Sequence, residues 1–589
     1  MGIFQKSVLK SFVREQTKTN SEAIQNAYQK FVAHFGDKSV QENLSKVKEE
    51  QYQEGFLKDL FVNVLDYTLF PNQNHNLLTE LKNPNDSKKA DGGILLNNQE
   101  GNPEKNTVLA VIELKDMRTR LMASIENQAF GYKRQHPNCR YVITSNFRFL
   151  RLYLDNAYEH EEFDLFNLDY DNFTILYTLL QKDNLLSDLP LQLKKQSIAR
   201  EEELTLEFYN RYQLSKELIF LSLARQNKKF DALLLFEKTQ KLLDRLIFMC
   251  FAKDKGLLPP NLIQTIIEEW KTRIEEGDIV TLYDRLKHHF RFIDTGFKSK
   301  KYDIYGYNGG LFAPDKVLDT IIFTNSENLE NLLNSLNQYN FETDIDINVL
   351  GHIFEHSLNE IDQKRTELLE DLEAIEAGKE PKNSGKRKQD GVFYTPIPIT
   401  KYIIEESVGK LCHQKKSELQ ILDELLSWDE IENYTENQTS ELQEKIEIYQ
   451  KWLDTVTVLD PACGSGAFLN QVLNFFIYEY EWIENLKLGI LARQEEKKEP
   501  KNTDSTETKK TNLLSIFDAP LPSVVKKQES NLIHQILENN IFGVDLNTES
   551  ISITQLSLWL KTAQMRRKLN DLSNNIKVGN SLISDKKID

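Results

Sequence analysis

The 589-residue chain reads as a multidomain α/β protein. Three observations carry that reading. Short runs rich in Val, Ile and Leu, separated by polar or glycine-bearing turns, crowd residues 77–155, as a small mixed sheet with helices requires. Residues 160–380 instead repeat apolar side chains at helical spacing. Thr455 to Leu469, TVTVLDPACGSGAFL, runs from a β-branched strand through a glycine loop into the helical pattern AFLNQVLNFF. That is how doubly wound α/β folds hold a nucleotide-type ligand. The composition shifts divide the chain at 1–160, 161–385 and 386–589.

Hydrophobic residues make up 40%, enough for several cores. The net charge is -17, so any nucleic-acid surface must be a local basic patch on an acidic protein. Cys139, Cys250, Cys412 and Cys463 form no CxxC pair, which argues against a zinc knuckle or a disulfide framework. The start, MGIFQKSVLKSFVREQ, lacks the apolar centre of a signal peptide. No uninterrupted apolar run approaches the ~20 residues of a membrane span. A soluble, cytoplasmic protein with no membrane partner is expected.

Residues 20–70 are expected to be helical. EGFLKDLFVNVLDYTLF sets Phe56, Leu57, Leu60, Phe61, Val64 and Leu65 on one face before Pro71. Strands follow at LLTELK, ADGGILL, NTVLAVIELKD, CRYVITS and FRFLRLYL, with one helix after Lys115. Alternate strand residues share a face, so Glu113 and Lys115 point the same way at the end of an apolar strand. Asp91 heads a second one. Two carboxylates suit Mg²⁺, which prefers oxygen ligands. A neighbouring lysine suits the charge that builds on a phosphodiester under attack. A solvated strand end is the alternative for the Glu-x-Lys string alone.

Asp91 followed by Glu113-x-Lys115 resembles the PD-(D/E)xK nucleases. Glu54, on the preceding helix, stands where such nucleases often carry another acidic residue. Gln128 and Tyr132, four apart on one helix face, resemble the QxxxY motif of the restriction subunits of type I systems. The resemblance implies a Mg²⁺-dependent endonuclease on double-stranded DNA. Its active site would hold Asp91, Glu113, Lys115, Gln128, Tyr132 and Glu54, with Asp91 and Glu113 on the metal.

The helical stretch 161–385 reads as a connector with its own core. YNGGLF at Tyr307–Phe312 and INVLGHIFEHSL at Ile347–Leu358 resemble the connector of type IIG restriction enzymes, which fuse a nuclease to an adenine methyltransferase. Residues 361–390 read as a charged helix and an exposed linker. In it, Lys386-Arg387-Lys388 is either a solvated loop or a contact to DNA phosphates.

In DPACGSGAFL the third small residue of a dinucleotide fingerprint is replaced by Leu469, which disfavours NAD. For the two glycines alone, a tight turn is the alternative. The whole string resembles motif I, the S-adenosylmethionine loop of N6-adenine DNA methyltransferases. Upstream, GVFYTPIPITKYIIEESVGKL resembles motif X of the same enzymes. There Pro396 and Pro398 break any earlier helix and Thr400 is expected to cap the next. RQEEKKEPKNTDSTETKKT, about 493–511, has the composition of a disordered insertion. Beyond it NIFGVDLN ends in Asp545, which either binds both ribose hydroxyls or caps the next helix. NNIKVGNSLI resembles motif III, with Asn580 toward the adenine. The resemblance implies a Rossmann-like domain binding S-adenosyl-L-methionine through Tyr394, Thr395, Pro396, Asp460, Pro461, Ala462, Gly464, Gly466, Asp545 and Asn580.

Nuclease, connector, then motifs X, I, II and III is the order of a type IIG restriction–modification enzyme. That family's Asn-Pro-Pro-Tyr motif, which holds a flipped adenine, does not occur in the sequence, and its target recognition domain is also missing. Three readings stand: a chain truncated or completed by a C-terminal chain carrying both parts, a nuclease with a cofactor-sensing remnant, or a non-catalytic subunit. The chain alone is expected not to transfer a methyl group. The strand before the glycine loop is expected to keep an unpaired edge.

Overall fold

The computed structural model describes residues 2–85, 87–96, 107–117, 119, 122–156, 159–307, 310–341, 345, 395, 397–421, 434–498 and 532–582. Ile347–Leu358, Lys386–Lys388, Tyr394, Pro396 and most of the charged insertion lie outside them. The fold is mixed α/β. By contact the chain divides into two units: Met1–Arg200 with His413–Gln450 and Tyr480–Pro522, and Glu201–Cys412 with Lys451–Glu479 and Ser523–Asp589. The three successive blocks read from composition are therefore interleaved.

The first unit opens with helices α1 (Lys6–Thr19), α2 (Ser21–Phe35), α3 (Lys38–Leu44) and α4 (Glu49–Phe56). The chain continues from α4 into a wider π-helical turn, Leu57–Val62. Phe56, Leu57, Leu60, Phe61, Val64 and Leu65 are all buried, as their spacing predicts. Six strands follow: β1 (Leu77–Lys82), β2 (Lys89–Leu96), β3 (Thr107–Leu114), β4 (Tyr141–Ser145), β5 (Phe149–Leu154) and β6 (His160–Asp164). They form one sheet in sequence order, antiparallel except where β3 meets β4. That parallel pair needs a crossover, and α5 (Met122–Lys133) supplies it.

β3 alternates as a strand covered on both faces should. Ala110, Ile112 and Leu114 pack into the main core with Phe56, Leu57, Leu60 and Phe61. Val111 packs on the opposite face with Tyr132 of α5. A boundary at 160 would cut β6. α6 (Tyr170–Leu180) and α7 (Lys182–Leu186) bury Phe173, Leu176, Leu179 and Leu185 in the same core. This body therefore extends past the expected boundary, because the sheet's last strand and its covering helices lie beyond it.

The second unit is mostly helical up to residue 341. After α8 (Leu189–Gln226) come α9 (Ala232–Asp254), α10 (Leu262–Glu275) and α11 (Leu282–Thr295). A small hairpin of β7 (Phe297–Lys298) and β8 (Asp303–Ile304) precedes α12 (Ser326–Asn337). Arg245 of α9 is buried and donates to the carbonyls of Leu311 and Ala313 at 2.8 Å each. It holds the end of the YNGGLF string against the helices.

The stretch that resembles motif X continues as α13 (Ile397–Ile404), a π turn at Glu405–Gly409, and α14 (Lys410–Leu419). The expected cap at Thr400 is corrected: the helix already starts at Ile397, and Thr400 is buried inside it. Pro398 falls in the first turn, where a missing N–H costs no helical hydrogen bond. α15 (Glu436–Leu453) leads to β9 (Val458–Asp460), and α16 (Ala467–Lys498) follows it. Residues 493–498, expected to be disordered, continue that helix.

After α17 (532–539), β10 (Ile541–Asp545), α18 (Thr548–Thr562) and β11 (Ile576–Val578) complete a parallel sheet in the order β11–β10–β9. Among the described residues β9 is an edge strand, and its Leu459 is 58% exposed. No described helix is long and apolar enough to cross a membrane.

Candidate functional site

The register of β2 on β3 pairs Gly92 with Ile112, which brings Asp91 beside the Glu113 end of β3. Glu113 is 1% exposed. Its Oε1 accepts from Lys115 Nζ at 3.1 Å, while its buried Oε2 has no hydrogen-bond partner. On the neighbouring strand, Thr144 is register-paired with Glu113, and its buried Oγ1 also lacks a partner. Lys115 Nζ donates in addition to Glu49 Oε1 and to the Leu114 carbonyl, each at 3.1 Å. Asp91 Oδ2 accepts the Leu114 N–H at 2.7 Å, and its Oδ1 accepts from Gln53 Nε2 at 2.9 Å. Each group that approaches the cluster is thus aimed by backbone or by α4.

The electrostatics follow from crowding carboxylates in a poorly solvated place. Burial, then the charge of Asp91, pushes the Glu113 carboxyl up to about 8. Burial also raises Asp91 and Glu49. For Lys115, burial pulls down, but Glu113, Glu49 and Asp91 together outweigh it and the ammonium is held more tightly. The cluster therefore carries more negative charge than its one lysine can offset. Among the described residues no group of three or more His, Cys, Asp or Glu is arranged to hold a metal. The carboxylates that meet here are the pair Asp91 and Glu113, and Mg²⁺ commonly takes one or two carboxylates and keeps water for the rest.

Gln128 and Tyr132 lie on α5. Gln128 Nε2 donates to the Tyr132 hydroxyl at 3.2 Å. Tyr132 is buried and lies close enough for Glu113 and Asp91 to raise its phenol, after burial itself. Five of the expected residues are thus brought to one region. Glu54 is not: it is exposed on α4, and no contact joins it to the cluster. Its expected place is taken by Glu49. Glu49 and Gln53 were not anticipated from the sequence, although Glu49-Glu50 at the start of α4 is a visible acidic pair.

The second assembly lies around the glycine loop. β9 and β10 are parallel; β9 ends at Asp460, in register with Gly543, and β10 runs two residues further to Asp545. The loop then folds onto the end of β10. Cys463 N–H donates to the Val544 carbonyl, and Gly464 N–H to Asp545 Oδ2, both at 3.0 Å. Asp545 Oδ1 accepts the Asn547 N–H at 2.8 Å, ahead of α18. Asp545 therefore ties loop, strand and helix start together, and each oxygen keeps a second lone pair.

Gly464 and Gly466 have φ of +53° and +83°, a region costly for side chains with a Cβ. A Cβ on Gly464 would point into open space, whereas one on Gly466 would come within 2.9 Å of Thr554 Cγ2. Thr554 also donates to the Gly464 carbonyl at 2.8 Å, and no sequence signal announced it. Asp460 Oδ1 accepts the Ala462 N–H at 3.1 Å, and burial followed by Asp545 raises its carboxyl. Pro461 and Asn580 are exposed, and Ser581 joins their loops by donating to the Pro461 carbonyl at 2.6 Å. Thr395 is half-buried, with Tyr394 and Pro396 outside the described residues.

Residues 434–588 match the family model described as the DNA-methyltransferase domain of MmeI. That stretch holds β9, β10, β11 and the glycine loop. A putative type II restriction enzyme and methyltransferase of Methanocaldococcus jannaschii is 25% identical over 384 residues. That alignment takes in 58% of this chain and 27% of the relative, so the chain spans about a quarter of that protein's length. Two solved structures are also similar. The type IIL restriction–modification enzyme MmeI in complex with DNA aligns at 15% identity and a TM-score of 0.34, over 64% of this chain and 40% of that one. The DrdV–DNA complex aligns at 12% identity and a TM-score of 0.26, over 86% and 36%.

Proposed function

We propose that this chain is a restriction–modification protein of the type IIG kind. In this reading the six-stranded sheet is a PD-(D/E)xK endonuclease that cuts double-stranded DNA with Mg²⁺. The region from motif X onward is the S-adenosyl-L-methionine-binding part of an N6-adenine DNA methyltransferase with a Rossmann-like sheet. Such a protein acts where foreign DNA enters, in the cytoplasm. A chain carrying the Asn-Pro-Pro-Tyr motif and a target recognition domain is its proposed complement for methyl transfer.

The observation that carries the nuclease reading is the orphaned Oε2 of Glu113, buried beside Asp91 and Lys115. A buried acceptor without a partner costs about 1–3 kcal/mol, a cost that a cation bound there would offset. A Mg²⁺ ion held by Asp91 and Glu113 would supply an activated water and neutralise phosphate charge. Lys115, held by Glu113, Glu49 and the Leu114 carbonyl, keeps a cation beside the scissile phosphate. Glu49 fixes that lysine and Gln53 fixes Asp91. The methyltransferase reading rests on the family match at 434–588 and on a loop whose Gly464 faces open space at the end of parallel strands.

The test is nicking of supercoiled plasmid with Mg²⁺. Glu113→Ala should lose cleavage by at least ~100-fold while leaving the fold intact. Cleavage by that variant at the parental rate sinks the assignment. Calorimetry with S-adenosyl-L-methionine tests the second site, where equal affinity in wild type and Gly464→Val would count against it.

A further inference from the structure

A cleft of about 290 Å³ opens in the second unit between the β7–β8 hairpin and the segment after α18. Thr295, Gly296 and Asp303–Tyr307 line one side, and Met565, Arg566 and Lys568 line the other. On the hairpin side the backbone packs closely: a Cβ on Gly306 would lie 2.6 Å from the Thr295 carbonyl carbon, so that position requires glycine. The hairpin is anchored, since Phe297 stacks on Phe292 of α11 with ring centroids 4.0 Å apart. The other wall is pinned by the Leu569 N–H, which donates to the Tyr307 carbonyl at 2.6 Å.

The charge here is opposite to that of the whole chain. Lys298 and Lys300 on the hairpin are exposed, as are Arg566 and Lys568 across the cleft. Lys301 is not counted, because Glu269 accepts from it at 2.6 Å. Asp303 is the one carboxylate among the described residues lining the cleft, 3.6 Å from Arg566. Four exposed cations, two lining the cleft and two on the adjoining hairpin, thus stand with one anion on a protein of net charge -17. Between them stand Tyr305, 38% exposed and braced edge-on by Tyr307 at 5.8 Å, and Met565, 67% exposed.

We propose that the β7–β8 hairpin and Met565–Lys568 form a docking surface for the sugar–phosphate backbone of duplex DNA, with Tyr305 and Met565 against the sugars. The inference rests on the DNA reading above, and it adds residues that neither candidate site includes. Lysines and arginines spread over two walls suit a polyanion with repeated phosphates. A free nucleotide seated in the cleft would leave Lys298 and Lys300, which do not line it, unused. Such contacts position the duplex without reading its sequence.

The experiment is duplex binding by the full chain against salt, in chelator, so that cleavage plays no part. Each lost phosphate contact lowers the slope of log K on log salt by about 0.9. The fourfold variant Lys298→Ala, Lys300→Ala, Arg566→Ala, Lys568→Ala should lower it by about 3.6 and weaken binding at least ~10-fold on unrelated sequences alike. Tyr305→Ala should weaken binding with the slope unchanged. A fourfold variant with the parental slope and affinity overturns the surface while leaving the nuclease reading intact. Nicking that persists in Glu113→Ala sinks the nuclease reading while this binding result stands. A wild-type chain that binds poly-glutamate more tightly than DNA also overturns the proposal, since the surface would then serve an acidic peptide.

Discussion

Glu113 shows how one side chain can be costly to the fold and useful to a site. Its carboxyl is raised from 4.5 to about 8 by burial and by Asp91. Between those two values the folded chain holds a proton that the unfolded chain has released. Metal-free stability should therefore fall as pH rises through that window. Melting in chelator from pH 5 to 8 should show the fall, and Glu113→Gln should flatten it. Mg²⁺ should restore most at the alkaline end, and only in the wild type. Glu113 and Lys115 were legible because strand alternation fixes a shared face from sequence alone, whereas Asp91 comes beside them through the register of β2 on β3. Glu49 was not. It lies five residues from Glu54, roughly 140° around a helix, so which of them meets Lys115 depends on how α4 seats on the sheet. Glu49→Gln should accordingly slow nicking by about tenfold, and Glu54→Gln should leave it within twofold. Equal effects would remove Glu49 from the cluster's support.

At the level of elements, the strand–loop–helix that opens with β9 was readable because each part is local. A β-branched run, two glycines and an apolar helix need no tertiary information to be recognised. Thr554 came from elsewhere in the chain and could not be seen that way. The two glycines should separate by experiment. Gly466→Ala meets Thr554 at 2.9 Å as well as an unfavourable φ, so it should cost about 2–4 kcal/mol in denaturant melts. Gly464→Ala meets only the φ cost, roughly 1 kcal/mol. Similar losses for both would mean that Thr554 yields easily. The YNGGLF string, noticed for its resemblance, has a plain structural duty. Tyr307 is buried with its hydroxyl donating to the Leu257 carbonyl at 2.7 Å, and Phe312 lies beneath the Arg245 guanidinium. Arg245→Met would strand the Leu311 and Ala313 carbonyls and should lower stability by about 2–5 kcal/mol. The helix turns that widen at Leu57–Val62 and Glu405–Gly409 carry no such sequence mark, since apolar spacing alone cannot distinguish them from regular helix.

At the level of the whole molecule, charge and connectivity were read unequally well. An acidic total requires any cationic face to be local, but the hairpin and Met565–Lys568 are far apart in sequence, and only folding makes them neighbours. The interleaving of the two units was invisible for the same reason. The parallel sheet carries a further consequence. Gly464 and Asp545 are bonded across 81 positions. A contact of that span carries the entropy of closing a long stretch of chain before it returns any free energy. The turns of α16 form between near neighbours and carry no such cost. The pairing of β9 with β10, and the glycine loop that folds onto it, should therefore be among the later events as the chain folds. Pulse-labelled hydrogen exchange during refolding checks this: the Gly464 amide should gain protection after the amides at the start of α16, and protection of both at the same moment would mean that the sheet and its helix form as one step.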